Sequence, residues 1–192
     1  MVKIVLASSS VYKQSLFGRL KLTFTIDEPN IDETLPFQSS AKQGAEWLAI
    51  EKARHVASRH PGAVIIGADQ IAELEGEKIN KPMNHANAVI QLRKQAGKQL
   101  QFHTGLAIID QRANQISEFS MVNTTEVHFR ELSEQKIQDY LHLETPYDCA
   151  GSFKSEGLGI SLLDSVNSDD PTSLIGLPLI ALSSQLIKMG VL

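Results

Sequence analysis

The chain has 192 residues, a formal net charge of −4 and scattered Lys and Arg, which bounds it to one domain or two small lobes sharing a core. The charge argues against a large nucleic-acid footprint but leaves room for a single nucleotide in a local basic cleft. A chain of this size buries roughly 70% of the surface it exposes when unfolded, so it needs no disulfide or structural metal. Its one cysteine, Cys149, rules out an internal disulfide and fits a reducing cytosol. No signal pattern is visible and no apolar run reaches membrane-spanning length.

The apolar run Ile4 to Ala7 predicts a buried strand at about 3–7 that stops at three hydroxyls, Ser8, Ser9 and Ser10. A helical pattern follows over about 11–20, with Leu16, Leu20 and Phe17 on one face. Strand, hydroxyl turn and helix aim unpaired backbone N–H groups at an anion, and the serines add donors. A strand is expected at about 22–27, and an extended stretch at about 28–37 contains Pro29 and Pro36. A helix of about 40–60 ends at His60-Pro61-Gly62 and leads into the apolar strand Ala63 to Ala68. The two arms around Glu75-Gly76-Glu77 read as a hairpin. Asn84 caps a helix reaching about Gln95, closed by Gly97. Long β segments at about 99–110 and 116–130 flank the turn Asp110 to Asn114 and suggest a bent hairpin. A helix at about 133–142, a glycine-rich charged loop from Gly151 to Gly159, a strand at about 159–163 and a helix at about 172–189 complete the chain. Mixed strands and helices give an α/β class, and the hairpins argue against a purely parallel sheet.

The most useful signal is charge where apolar residues belong. Ala45, Leu48, Ala49, Ala53, Val56 and Ala57 form the inward stripe of the long helix, and Lys52 falls within or beside it. Such a lysine either snorkels out at the stripe's edge or serves a site. Asp69 follows a strand apolar on both faces, and ligands bind beyond strand ends in α/β sheets. There it can hold a metal, act as a base or simply form a turn. Gln70 next to it carries an amide able to read a base or orient a water. Lys81 is biased to an extended conformation by Pro82. Glu33 sits in a loop between two prolines. Lys154, within Gly151-Ser-Phe-Lys-Ser-Glu-Gly-Leu-Gly, lies on a backbone path that glycines make unusual. Taken singly, Lys81 and Glu33 would pass as solvated charges. The histidines lack metal-ligand spacing, and neither G-x-x-x-x-G-K nor G-x-S-x-G is present. Cys149 follows Asp148 without a nearby basic partner and reads as a structural thiol, not a nucleophile.

Together these segments resemble the Maf family of nucleotide pyrophosphatases. The carriers are Leu6-Ala7-Ser8-Ser9-Ser10-Val11-Tyr12-Lys13-Gln14, Ile31-Asp32-Glu33, Glu51-Lys52-Ala53, Gly67-Ala68-Asp69-Gln70 and Asn80-Lys81-Pro82, in the family's order across nearly the whole chain. Asp69-Gln70 and Cys149-Ala-Gly-Ser-Phe-Lys-Ser-Glu-Gly-Leu-Gly look like the branch that hydrolyses 7-methyl-GTP, in which the positions of Tyr12, Gln70 and Lys154 are associated with substrate choice. A methylated guanine is cationic, so stacking on an aromatic ring is physically sensible. The chain departs from the family pattern at Val11 (proline), Lys13 and Gln14 (both arginine) and Asn80 (glycine). Lysine is a point charge where arginine grips phosphate in bidentate fashion, and glutamine carries no charge.

The resemblance implies a single domain, 1–192, with a mixed twisted sheet, flanking helices and two lobes around a central cleft, similar to the inosine triphosphate pyrophosphatases. It implies attack of water on the α-phosphorus of 7-methyl-GTP or a related modified nucleotide, giving the monophosphate and pyrophosphate. Asp69 would be the proton acceptor, and Glu33 and Asp69 would hold Mg²⁺ or Mn²⁺. Ser8, Tyr12, Lys13, Lys52, Gln70, Lys81 and Lys154 would bind substrate. A cytoplasmic enzyme on a small nucleotide, without nucleic-acid polymer or membrane partner, is expected; monomer and homodimer both stay open. Two alternatives remain: a nucleotide-binding protein with weak or no catalysis because of Lys13 and Gln14, and a dTTP/UTP pyrophosphatase.

Overall fold

The structure is a computed structural model that describes residues 2–36, 38–113 and 115–192. Phe37, at the end of the expected extended stretch, and Asn114, at the end of the expected turn, lie outside the described residues, as does Met1. Among the described residues, seven strands form one mixed sheet. They are β1 (Ile4–Ala7), β2 (Thr25–Ile26), β3 (Val64–Leu74), β4 (Glu77–Ile79), β5 (Gln99–Asp110), β6 (Ser117–Phe129) and β7 (Leu163–Asn167). The helices are α1 (Val11–Gly18), α2 (Ala41–Ala57), α3 (His85–Gln95), α4 (Glu134–Glu144) and α5 (Leu179–Lys188). The order across the sheet is β2-β1-β3-β5-β6-β7, with β4 on β3. The mixed α/β class is as expected.

The topology of β3 places the cleft. Along one side β3 pairs antiparallel with β5 from Val64 to Glu73. On its other side β1 runs parallel only from Val64 to Gly67, and β4 takes over antiparallel only at Ala72. Among the described residues, Ala68, Asp69, Gln70 and Ile71 therefore have no strand beside them on that edge. The sheet opens there, and the backbone and side chains of the gap face a cleft. The apolar side chains divide around this opening. Leu16, Phe17 and Leu182 pack on one face of the first half of β3, and Ala49, Ala53 and Val56 pack on the other. Leu92, Phe102, Tyr140 and Phe153 gather about its second half.

α2 begins at a capping box formed by Ser40 and Gln43. Its predicted stripe, Ala45, Leu48, Ala49, Ala53, Val56 and Ala57, is buried. Small residues bring its backbone onto the sheet. A Cβ on Gly67 would lie 2.3 Å from the Ala49 carbonyl oxygen, and one on Gly105 would lie 2.2 Å from that of Ala45. Close seating carries Lys52, on the same helix, to the edge of the gap in β3.

Four boundaries differ from expectation. The apolar strand continues through Asp69 to Leu74, because β5 supplies a pairing partner long after β1 has ended. The expected strand at about 22–27 is reduced to Thr25–Ile26. Residues Leu158–Leu162 form a 3₁₀ turn, and the strand follows it at Leu163–Asn167. That turn is tightly wound, since a Cβ on Gly159 would lie 2.3 Å from the Lys154 carbonyl oxygen. The expected terminal helix is split: Ser173–Ile175 is a 3₁₀ turn, Gly176 has φ +118°, and α5 starts only after Pro178.

Gly105→Ala should lower unfolding free energy by about 1–3 kcal/mol, because the added methyl meets helix backbone that cannot yield. Gly18→Ala, with nothing within 4 Å of the new methyl, should stay within about 0.5 kcal/mol. Urea denaturation of the three proteins compares them; equal losses at both positions would contradict the close seating of α2.

Candidate active site

A cleft of about 700 Å³ opens at the gap in β3. Ser8, Tyr12, Lys13, Glu33, Lys52, Asp69, Gln70 and Lys81 all line it, so eight of the nine predicted site residues share one cavity. The ninth, Lys154, reaches its edge: its Nζ stands 5.7 Å from the centroid of the Tyr12 ring.

The first wall is the opening loop. Ser8 Oγ accepts the Ser10 N–H at 3.1 Å, and Ser10 caps α1 by accepting the Lys13 N–H at 3.4 Å. Ser8 and Ser10 are thus partly spent on shaping the turn. The N–H groups of Ser9, Val11 and Tyr12 make no hydrogen bond among the described residues, and they remain for an anion. Tyr12 and Lys13, adjacent at the start of α1, both enter the cleft. Gln14 does not; its amide folds back onto the Ser9 carbonyl at 3.2 Å.

The second wall centres on Lys52. Its Nζ contacts Glu33 Oε1 at 2.7 Å and Asp69 Oδ1 at 2.5 Å, with only 11% of its side chain exposed. Burial alone would lower its pKa, but Asp69 and Glu33 reverse that and hold the ammonium above its ordinary value. Burial likewise opposes ionisation of Glu33, yet Lys52, Lys81 and Lys13 leave its carboxyl below the usual range. Glu33 is delivered by a strap that runs along α2. At the strap's start Asp27 pairs with Arg59 at 2.8 Å and His60 at 2.7 Å. Near its end Leu35 packs against Gly44, where a Cβ would lie 2.6 Å from the leucine methyl. Burial, only partly offset by Asp69 and reinforced by Lys52 and Lys81, holds Lys13 below its ordinary pKa. The stem of Lys13 packs on Gly176, whose hypothetical Cβ would lie 3.4 Å from Lys13 Cε. Lys81 is held between two anchored carbonyls: Gln91 donates to Asn80 and Asn87 donates to Pro82, each at 2.9 Å.

The third wall is where residues beyond those predicted appear. Gln70 Nε2 donates to the carbonyls of Ser173 (2.9 Å) and Leu174 (3.1 Å) and to Thr104 Oγ1 (3.0 Å). Its amide nitrogen is fully committed, so only the carbonyl oxygen is left to meet a ligand, as an acceptor. Tyr12 donates its hydroxyl to Asp148 at 3.3 Å. Cys149 lines the cleft half-buried, and burial together with Asp148 pushes its thiol up to about 12, which makes it a poor nucleophile. Lys154 pairs with Glu144 at 3.0 Å, and Glu144 also accepts the Leu158 N–H at 2.6 Å. Asp148, Glu144, Thr104 and the 173–174 carbonyls were not candidates from sequence. Asp148, Thr104 and the 173–174 carbonyls sit far along the chain from the residues they serve, and Glu144 reaches Lys154 across the intervening loop, so local patterning carries no sign of them.

Two carboxylates that converge on one cation suit a hard divalent ion such as Mg²⁺, which binds through one or two carboxylates and completes its shell with substrate phosphates and water. Among the described residues no group of three or more His, Cys, Asp or Glu could hold a metal by itself. No helix among them is long and apolar enough to cross a membrane.

A family model described as "Maf-like protein" matches residues 3–189. The chain is 49% identical over 183 residues to "7-methyl-GTP pyrophosphatase" of Ralstonia nicotianae, covering 95% of this chain and 93% of that one. It is 48% identical over 190 residues to the protein of that name in Aromatoleum aromaticum, with 99% and 97% covered. A distant structural likeness, TM-score 0.45 at 14% identity over 98% of this chain and 97% of the other, is to a nucleoside-triphosphatase/dITP/XTP pyrophosphatase of Mycobacterium abscessus.

The Glu33–Lys52 contact requires an ionised Glu33, whose folded pKa lies below its ordinary 4.5. In acid the unfolded chain binds the proton first, so the contact's stabilisation is present above pH 4.5 and lost as pH falls through the lower folded value. The stability difference between the native protein and Glu33→Gln should be flat between about pH 6 and 8 and close in acid. Urea midpoints across pH measure it; a gap that widens on acidification would contradict the ion pair.

Proposed function

The chain belongs to the Maf family, and from that membership and the geometry of its cleft we propose that it is a nucleoside triphosphate pyrophosphatase acting on 7-methyl-GTP. The observation that carries the reading is Lys52 bridging Glu33 and Asp69 in the same cleft as Lys13 and Lys81. Three lysines and the free N–H groups of the opening loop form a grip for a triphosphate, beside two carboxylates able to serve the hydrolysis. The names of the near full-length relatives support 7-methyl-GTP as the substrate.

In this reading the triphosphate lies along Lys13, Lys52 and Lys81, with the Ser9, Val11 and Tyr12 N–H groups donating to its oxygens. Asp69 Oδ1 is held by Lys52, and Oδ2, without a hydrogen bond among the described residues, is the proton acceptor for the attacking water in this cleft-lining residue. Attack at the α-phosphorus expels pyrophosphate, whose added charge the lysines stabilise. Mg²⁺ or Mn²⁺ would be held by Glu33 and Asp69, and when bound it would neutralise phosphate charge. The base stacks near Tyr12, and the Gln70 carbonyl oxygen accepts from the N–H donors of a guanine edge. Lys13 in place of arginine keeps an amine at the grip, and phosphate oxygens beside it favour its charged form against the burial that opposes it. Gln14, turned away onto Ser9, removes nothing from the cleft wall, which favours catalysis over the binding-only alternative.

Pyrophosphate release from 7-methyl-GTP, GTP, dTTP and UTP with Mg²⁺ or Mn²⁺ tests the reading. Expected are a higher kcat/KM on 7-methyl-GTP than on the other three and a loss of about 10²–10⁴-fold in Asp69→Asn. Preference for dTTP or UTP would overturn the substrate, nucleotide binding without release would favour the binding-only alternative, and unchanged turnover in Asp69→Asn would overturn the role of that residue.

A further inference from the structure

The cleft is electrically two-ended. Lys13 lies within the influence of Asp69, Lys52, Lys81 and Glu33, whereas its neighbour Tyr12 lies within that of Cys149 and Asp148. The lysine end suits an anion. At the Tyr12 end, Asp148 and Glu156 both line the cavity and are exposed. Neither makes an ion pair among the described residues; Asp148 accepts the hydroxyls or thiol of Tyr12 and Cys149, and Glu156 accepts from Ser155. Lys154, whose ammonium lies over the Tyr12 ring, is already paired with Glu144 at 3.0 Å. The ring of Tyr12 has that ammonium 5.7 Å from its centroid, so its surroundings already accommodate a cation. A carboxylate accepting the phenol hydroxyl also makes the ring more electron-rich, which strengthens cation–π attraction.

We propose that Asp148 and Glu156 are specificity-determining residues: they set a negative field at the base end of the cleft that selects a nucleotide with a positively charged purine, an N7-alkylated guanine, over its neutral counterpart. This rests on the reading that a guanine nucleotide binds with its base beside Tyr12. A ligand that is anionic at its phosphates and cationic at its base matches both ends of the cleft at once. An ordinary purine matches only one. Tyr12 adds a cation–π attraction for a charged ring and Gln70 meets a hydrogen-bonding edge, but neither carries the net negative charge that the two carboxylates supply.

The test compares 7-methyl-GTP with 7-deaza-7-methyl-GTP, which keeps the methyl group and shape but has a neutral ring. Rates of pyrophosphate release are measured for the wild-type protein and for the double variant Asp148→Asn, Glu156→Gln. Two carboxylates near a ring cation in a half-solvated cleft should favour the charged substrate by about tenfold in kcat/KM. In the variant the ratio should fall at least about threefold, to the smaller preference that the Tyr12 ring alone supplies. The ratio is read within each protein, so the fraction of active enzyme cancels. Both side chains are exposed, and where turnover is lost the same ratio is taken from Kd values for 7-methyl-GMP and its 7-deaza analogue. An unchanged ratio in the variant overturns the proposal, as does a wild-type ratio near one while 7-methyl-GTP is still preferred over GTP. If the wild-type protein does not prefer 7-methyl-GTP over GTP, the substrate reading itself fails, and that comparison needs no variant.

Discussion

Everything in the cleft is arranged around one buried ammonium. Lys52 is carried by α2, Glu33 by the strap that lies along α2, and Asp69 by the gap in β3. These parts come from different regions of the chain, and among the described residues the lysine is the one side chain that pairs with both carboxylates. Without it, two acids would face each other with no cation between them. With it, the Glu33 carboxyl is held below its usual range, and both carboxylates are gathered on one ammonium before any ligand arrives. The close seating of α2 on Gly67 and Gly105 keeps the lysine at this spot.

The sheet explains why the site lies where it does. β3 keeps its partner β5 along one side, while on the other side β1 stops before Asp69 and β4 begins only after Ile71. A break in pairing in the middle of a sheet leaves backbone and side chains open to a ligand without exposing a whole edge. Gln70, within that break, is pinned by the turn at Ser173 and Leu174, which is itself fastened through buried Asp170 to Thr172 and the start of α5. The C-terminal region thus orients a residue of the central strand.

Much of this was legible in the residues themselves. Lys52 on an apolar stripe and Asp69 after a strand apolar on both faces each admit a bland reading, a snorkelling lysine and a turn aspartate, but both fall in the cleft. The opening serines were legible as an anion turn, although two of them are spent on the turn's own hydrogen bonds. What stayed hidden depends on contacts between distant segments. Apolar patterning stops at Asp69 and predicts a strand end there, but the strand continues, since β5 pairs through it; the end that matters belongs to β1. Asp148 and Glu144 look like ordinary loop and helix-end acids until folding brings them to Tyr12 and Lys154. The last helix was read as starting too early because Ser173–Ile175 is helical in its own short turn, and only the backbone at Gly176 and Pro178 separates it from α5.

Hydrolysis of 7-methyl-GTP in ¹⁸O-enriched water, with mass analysis of both products, tests most directly whether the Lys52-centred cluster directs water to the α-phosphorus. The heavy oxygen is expected in 7-methyl-GMP, with none in pyrophosphate. Label in pyrophosphate, or release of orthophosphate with a nucleoside diphosphate, would place the attack on another phosphorus and contradict the arrangement of Asp69, Lys52 and Glu33 described above.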